Sequence, residues 1–204
     1  MEILLVRHGE TEGNVAKRHQ LDATPLTDRG RIQIAETAKK LLEMKPTHLL
    51  SSPVLRALES SRMIGLALDI IPETSPLFVE LGRPPFLHGN FHKSLGSLWF
   101  YTLWYFGLAN NGKHGGESYK TLRERVAQAQ EFLMNYPPDA RVVVVSHSVF
   151  INFFLAHLCD KKPLNPIQAA VRFLRVLSIK NGSITKVVFD TNESRKRCQW
   201  RVEK

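Results

Sequence analysis

Residues 2–11 read Glu-Ile-Leu-Leu-Val-Arg-His-Gly-Glu-Thr, and this stretch decides the fold. Its first half, Glu2–Val6, is a short apolar run, which is typical of a strand buried inside a sheet. Its second half places Arg7 and His8 directly after that strand and before a glycine. A buried strand that ends in a cation and an imidazole indicates a polar site at one end of a sheet.

Strand patterns and helical patterns alternate outward from this stretch. Four consecutive valines at 142–145 predict a strand buried on both faces, and the apolar spacing within 27–45 predicts an amphipathic helix. This alternation indicates an α/β fold with a largely parallel sheet and helices on both faces. The further predicted helices cover 53–68, 118–136 and 149–159. The further predicted strands are His48–Ser51, Leu77–Glu80, Leu174–Lys180 and Ser183–Asp190, and the last two flank the hairpin signal Asn181-Gly182.

Length and composition predict one domain that spans residues 1–204. The chain has 204 residues, of which 43% are hydrophobic and 23% charged, as is usual for soluble globular proteins. Two cysteines, Cys159 and Cys198, make no disulfide scaffold, and neither has a recognisable partner. No apolar stretch is long enough for an integral membrane segment. We therefore expect a cytoplasmic protein.

The positive charge of the chain is concentrated near its C-terminus. The formal net charge is +9, yet residues 161–204 alone hold 11 Lys+Arg against 3 Asp+Glu. A basic balance predicts an anionic partner, such as a phosphorylated substrate, an anionic lipid or nucleic acid. Composition cannot choose among these partners, but no nucleic-acid motif accompanies the charge, so we expect no nucleic acid. A homodimer stays open.

Charged and titratable side chains follow the predicted strands. Arg7 and His8 follow the first strand, Arg56 follows the second, Glu80 ends the third and His147 follows the valine strand. Because ligands bind beyond the carboxyl ends of strands in open α/β sheets, we expect these side chains to share one pocket.

Such a pocket is suited to phosphoryl transfer. The planar fork of arginine matches phosphate oxygens, and a histidine beside cations stays neutral and nucleophilic. A nearby carboxyl group can protonate a leaving alkoxide and then deprotonate water. Since phosphoryl transfer depends mainly on positioning and charge neutralisation, this set predicts the reaction with no metal and no cofactor.

Five sequence blocks together resemble the histidine phosphatase superfamily, the phosphoglycerate mutase-like group. The resemblance covers residues 3 to about 158, roughly three-quarters of the chain. The blocks are Leu5-Val6-Arg7-His8-Gly9-Glu10-Thr11 with Asn14, Pro25-Leu26-Thr27 with Gly30, Ser51-Ser52-Pro53 with Arg56-Ala57, Gly115-Gly116-Glu117-Ser118, and Val145-Ser146-His147.

The resemblance implies roles for individual residues. It implies a three-layer α/β/α sandwich, hydrolysis through phosphohistidine on His8, and Glu80 as proton donor. Phosphoryl oxygens would be bound by the remaining site residues, which are Arg7, Asn14, Arg56, His147 and Ser148.

This chain departs from the family pattern at three places. The usual Arg-Ala-x-x-Thr reads Arg56-Ala57-Leu58-Glu59-Ser60, and the Arg-His-Tyr-Gly that follows the glutamate in mutases is replaced by Leu81-Gly82-Arg83-Pro84. The Gly-x-Trp-Glu-Gly segment frequent in phosphatases is matched only loosely by Pro85-Phe86-Leu87-His88-Gly89. The missing mutase motif favours a phosphomonoesterase. Phosphoglycerate mutase activity, α-ribazole phosphatase activity and a catalytically silent phospho-ligand binding protein are the alternatives.

The segment 82–116 is predicted to be an aromatic-rich insertion. Six aromatic residues lie within Trp99–Phe106. Three interpretations of the stretch 98–109 stay open: packing on the core or at an interface, a cap over the substrate, and contact with a membrane surface. His88 and His92 are four residues apart, but the neighbouring Pro and Gly favour a structural loop over a metal site.

Overall fold

The computed structural model describes residues 1–92, 94–108, 116–159, 162–176, 179–190 and 198–203. The strands are β1 (Glu2–Arg7), β2 (His48–Ser51), β3 (Glu73–Thr74), β4 (Arg141–Ser146), β5 (Ile184–Phe189) and β6 (Trp200–Glu203). The helices are α1 (Glu12–Val15), α2 (Asp28–Met44), α3 (Leu55–Leu68), α4 (Leu95–Tyr105), α5 (Tyr119–Leu133), α6 (Ser148–Ala156) and α7 (Pro166–Val176), with 3₁₀ turns at Pro76–Phe78 and Pro85–Leu87. The predictions for Gly115 and for the basic run Arg195-Lys196-Arg197 lie outside the described residues.

The six strands form one sheet in the order β3-β2-β4-β1-β5-β6. The first four strands are parallel, whereas β5 is antiparallel to β1 and β6 is antiparallel to β5. In the register of β1 with β4, Arg7 lies opposite Ser146. The residues that follow these two strands therefore emerge side by side at the carboxyl edge of the sheet.

Alternate side chains of β1 enter two separate cores. Ile3 and Leu5 belong to the cluster that includes Phe150 of α6, and Leu4 and Val6 belong to the cluster that includes Ile34 of α2. The valines of β4 divide between the same two clusters, which explains why the whole run is apolar. The prediction of an α/β fold with a mostly parallel sheet and helices on both faces is confirmed.

Two predicted strands are wrong. The segment Leu77–Glu80 begins within a 3₁₀ turn, because Pro76 fits its first position and the Ser75 hydroxyl accepts a hydrogen bond from the Leu77 N–H at 3.3 Å. Residues 174–176 continue helix α7 and residues 179 and 180 belong to no strand, so over its described residues the strand predicted at Leu174–Lys180, and the hairpin with it, is wrong. Gly182 instead takes a positive φ of 71° and leads into β5, which pairs with β1.

The two cysteines form a disulfide, which corrects the expectation that neither has a partner. Cys159 lies after α6 and Cys198 lies before β6, with their Cα atoms 5.1 Å apart and a sequence separation of 39. The position of β6 at the sheet edge brings the two cysteines together, and no local sequence pattern predicts this pairing.

Part of the aromatic segment is helical. In α4, Phe100 and Trp104 are buried in the core, whereas Leu98 and Trp99 are exposed. Core packing therefore accounts for one face of the helix only. No helix in the described part of the chain is long and apolar enough to cross a lipid bilayer.

Candidate active site

His8 lies directly after β1 and is buried. Its Nδ1 is 2.7 Å from the carbonyl oxygen of Gly9, and a carbonyl can only accept, so Nδ1 carries the proton. The lone pair of the neutral ring is then on Nε2. Burial and the charges of Arg56 and Arg7 lower the pKa of His8 well below its usual value, while the bond to Gly9 opposes that shift. His8 is therefore a neutral nucleophile at neutral pH.

His147 lies beside His8 at the end of β4. The two ring centroids are 5.1 Å apart, and His147 Nε2 is 2.9 Å from the Ser52 hydroxyl, which follows β2. Burial and the charge of Arg56 lower the pKa of His147 well below its usual value. Its Nδ1 is buried and has no hydrogen-bond partner within the described residues.

Arg7 and Arg56 supply two positive charges around His8. Arg7 donates to the carbonyl oxygen of Ile179, and Arg56 donates to that of Leu21 at 3.1 Å. Burial lowers the pKa of Arg56 to about 10, so it stays charged at neutral pH. In the described part of the chain neither guanidinium has a carboxylate within salt-bridge distance, and each Nε is buried without a hydrogen-bond partner. A buried polar atom without a partner requires an explanation, and an anionic ligand provides one here.

Ser60 ties the His8 loop to helix α3. Its hydroxyl donates to the Arg56 carbonyl at 2.7 Å and accepts from the Gly9 N–H at 3.2 Å. The serine that replaces the family's threonine therefore fixes both Arg56 and the backbone beside His8 through its hydroxyl.

Glu80 follows the 3₁₀ turn and meets the N-terminus of α6. Its carboxylate accepts hydrogen bonds from the N–H groups of Val149 at 3.3 Å and Phe150 at 3.2 Å. Anionic groups are favoured at helix N-termini. Although the strand predicted at 77–80 is absent, Glu80 still lies in the same cavity as His8 and Arg56.

A buried ion pair fixes the segment that carries Glu80. Arg125 of α5 and Glu117 approach to 2.6 Å, and Arg125 also donates to the carbonyl oxygens of Leu77 at 3.0 Å and Val79 at 2.8 Å. Glu117 belongs to the fourth motif block, yet it does not line the cavity of His8. It contacts Arg125, which binds the segment before Glu80.

Asn14 and Ser148 also line the cavity, as the sequence predicted. Asn14 is held in place by Thr11, the N-cap of α1. Sequence reasoning missed Asn181, whose side-chain amide donates to the carbonyl of His8 at 3.0 Å and to Asn14 Oδ1 at 3.1 Å. Its only signal was the Asn-Gly pair, which was interpreted as a hairpin turn.

Arg83 is a further cavity residue that sequence reasoning did not assign. Its Nε donates to the hydroxyl of Tyr101 at 3.0 Å, so it joins the loop after Glu80 to helix α4. The departure at Leu81-Gly82-Arg83-Pro84 therefore changes the lining of the cavity.

His19 and His92 lie nearby with ring centroids 4.7 Å apart. Burial, together with the charges of Arg83, His92 and His88, lowers the pKa of His19 to about 3. Within the described residues no group of three His, Cys, Asp or Glu side chains could hold a metal ion.

The cavity has a volume of about 1350 Å³ and two dissimilar parts. Polar and charged residues line the part that contains His8, and mainly aromatic and aliphatic residues of α4 and its C-cap Phe106 form a second wall. The members of that wall are Leu98, Tyr101, Thr102, Tyr105 and Phe106. One face of α4 thus packs on the core and the other lines the cavity, and a role as a substrate cap stays a prediction.

Comparisons with known proteins agree with this geometry. The family model of the histidine phosphatase superfamily (branch 1) matches residues 3–200. A probable phosphoglycerate mutase of Escherichia coli O139:H28 is 30% identical over 190 residues, which cover 92% of this chain and 84% of that one. A probable phosphoglycerate mutase of Shigella boydii serotype 18 is 28% identical over the same length and coverage.

Solved structures share the fold. A mycobacterial glucosyl-3-phosphoglycerate phosphatase complexed with VO₃ superposes with a TM-score of 0.73 at 22% identity, covering 100% of this chain and 97% of that one. A putative alpha-ribazole-5'-P phosphatase from Escherichia coli K-12 gives a TM-score of 0.75 at 21% identity, covering 99% and 96%. With a family model matched over nearly its whole length, the chain belongs to branch 1 of the histidine phosphatase superfamily.

Proposed function

We propose that this protein is a phosphomonoesterase that works through a phosphohistidine on His8. The observation that carries the proposal is that Arg7 Nε and Arg56 Nε, together with Nδ1 of the neighbouring His147, are buried without a hydrogen-bond partner in the described part of the chain. Arg7 and Arg56 line the cavity of His8, whereas His147 does not line it. The two arginines and His147 lie around a histidine whose tautomer leaves Nε2 free. A phosphoryl group at this position would satisfy the donors and would face the nucleophile.

In the first step, His8 Nε2 attacks phosphorus and the bond from phosphorus to the ester oxygen breaks. The leaving alkoxide takes the proton of the Glu80 carboxyl group and departs as an alcohol. Arg7 and Arg56 bind the phosphoryl oxygens and neutralise the charge that is spread over them. The remaining species is phosphohistidine with Glu80 ionised.

In the second step, Glu80 takes a proton from water while the water oxygen attacks phosphorus. The bond from phosphorus to nitrogen breaks, inorganic phosphate leaves, and His8 is neutral again. Glu80 thus acts first as acid and then as base. Because the arginines carry the charge neutralisation, we propose that hydrolysis requires no metal ion.

Mutase activity is a second candidate, since two relatives of 28–30% identity are named probable phosphoglycerate mutases. A mutase must keep water from the phosphoenzyme until the phosphoryl group returns to the substrate. The Arg-His-Tyr-Gly sequence typical of mutases is missing after Glu80, and the cavity is large. These observations favour hydrolysis, and an assay of 3- to 2-phosphoglycerate interconversion separates the two reactions. α-Ribazole phosphatase activity is tested in the same substrate panel.

The test is hydrolysis of p-nitrophenyl phosphate in EDTA by the intact chain and by His8→Ala. We expect turnover in the presence of the chelator, an acid-labile phosphoenzyme, and loss of both in the variant. His48→Ala is the matched control, because His48 begins β2 at the opposite end of the sheet. Normal turnover by His8→Ala would refute the mechanism. Binding of vanadate without any turnover would support the catalytically silent alternative.

Location and assembly stay proposals. We propose a small phosphorylated metabolite as substrate and the cytoplasm as compartment, with a homodimer still open. The disulfide between Cys159 and Cys198 is more typical of an oxidising compartment. Thiol titration of protein trapped directly from its native cells decides between the two compartments.

A further inference from the structure

Helix α4 forms a wall of the catalytic cavity that is apolar and partly open to solvent. Leu98 and Phe106 line the cavity together with His8, yet they are 64% and 63% exposed. Phe100 and Trp104, on the other side of the helix, are buried in the core. Leu98 and Phe106 therefore contribute little to the core, unlike Tyr101 and Tyr105, which pack against it, and the position of the two exposed side chains at the cavity points to a ligand.

The polar atoms of this wall already have partners. The Tyr101 hydroxyl accepts from Arg83 Nε at 3.0 Å, and the Tyr105 hydroxyl donates to the Leu164 carbonyl at 2.7 Å. The Thr102 hydroxyl donates to the Leu98 carbonyl at 2.9 Å. What the wall presents to a ligand is consequently ring and aliphatic surface. A leaving group rich in hydroxyls, such as a sugar, would find few hydrogen-bonding atoms on this wall.

The position of the charges and the size of the cavity are compatible with an apolar chain along α4. Residues 82–108 contain no Asp or Glu, and the further cations that line the cavity, Lys17, Arg18 and Arg83, lie outside α4. The volume of about 1350 Å³ exceeds the range of about 300–1000 Å³ that is usual for drug-sized ligands. Phe91, Pro166 and Ala169 add to the apolar surface of the cavity.

We propose that the substrate is the phosphomonoester of an apolar alcohol, an amphiphile whose hydrocarbon chain packs against α4. This inference rests on the proposed phosphomonoesterase function and adds the chemical class of the leaving group. The phosphate lies at His8, Arg7 and Arg56, and the chain extends from it along Leu98 and Phe106. The hydrocarbon covers apolar surface that stays exposed in the free protein.

The test is a series of n-alkyl phosphates from ethyl to octyl, each below its micelle concentration, with phosphate release as the readout. A fully buried methylene group contributes about fourfold in binding, so a half-covered chain gives about twofold per methylene. From ethyl to octyl phosphate we therefore expect kcat/KM to rise on the order of 60-fold, mainly through KM. In the double variant Leu98→Gln with Phe106→Gln, the octyl-to-ethyl ratio should fall at least fivefold.

Leu66→Gln is the matched control, since Leu66 of α3 is 87% exposed and does not line the cavity. It should keep the ratio of the unchanged protein. An equal kcat/KM for ethyl and octyl phosphate would overturn the inference and leave the proposed function standing. No hydrolysis of any ester would overturn the proposed function and the inference with it. A stable dimer that the double variant breaks, with an unchanged ratio, would assign the wall to a second copy and refute the amphiphile.

Discussion

The ion pair between Glu117 and Arg125 offers a sharp test of how the loop of Glu80 is fixed. The two side chains are 12% and 13% exposed, and Glu117 accepts from both Arg125 Nε at 2.8 Å and Nη2 at 2.6 Å. Glu117→Ala removes this bidentate contact and leaves a buried guanidinium charge. Breaking a buried pair from one side costs about 3–5 kcal/mol.

The expected loss lies at the lower end of that range, because Arg125 keeps the carbonyl oxygens of Leu77 and Val79 as acceptors. We expect the free energy of unfolding to fall by about 3 kcal/mol, which lowers Tm by about 6–12 °C for a chain of this size. Because Arg125 also positions the segment before Glu80, kcat should fall at least tenfold. Thermal unfolding and p-nitrophenyl phosphate hydrolysis measure the two effects.

Glu124→Ala is the matched control on the same helix. Its pair with Lys120 spans 3.9 Å and is solvent-exposed, so its loss should change stability by less than about 0.5 kcal/mol. If Glu117→Ala and Glu124→Ala shift Tm equally, the ion pair does not fix the loop. If Glu117→Ala lowers Tm while kcat stays unchanged, the link to Glu80 is wrong.

Three further perturbations test separate contacts. Ser60→Ala leaves the buried Gly9 N–H without an acceptor, so the free energy of unfolding, measured with denaturant, should fall by about 1–3 kcal/mol, and kcat should fall as well. Unchanged stability would show that water replaces the hydroxyl. The pKa of His19 is lowered to about 3, so below pH 6.5 the unfolded chain binds a proton that the folded protein does not. Stability should therefore fall as pH decreases from 6.5 towards 3, less steeply in His19→Gln, and parallel pH profiles would contradict this. Treatment with a reductant breaks the Cys159–Cys198 disulfide and should lower the free energy of unfolding, followed by thermal unfolding, by about 2–4 kcal/mol. The variant with serine at both positions has no disulfide to lose and should not respond to the reductant; an identical response of both proteins would refute the prediction.

Residues next to strand ends were predictable because local sequence determines them. The pattern of Glu2–Val6 indicates a buried strand, and a parallel sheet brings the carboxyl ends of its strands to one edge. His8 and His147 lie 5.1 Å apart for this reason alone. The short strand predicted at 77–80 and the hairpin at Asn181-Gly182 failed, since a few apolar residues cannot distinguish a strand from a turn or the end of a helix.

The sequence by itself determined the α/β class, the family, and the convergence of Arg7, His8, Arg56 and His147. These features depend on contiguous motifs and on the periodicity of single elements. Only the tertiary structure decided the pairing of Cys159 with Cys198 and the packing of α4 on the core with one face and on the cavity with the other. It also decided the hydrogen bonds of Arg125 to the Glu80 loop and of Asn181 to His8. Each of these contacts joins residues that are distant in sequence, so that its energy depends on how separate elements pack and not on any local pattern.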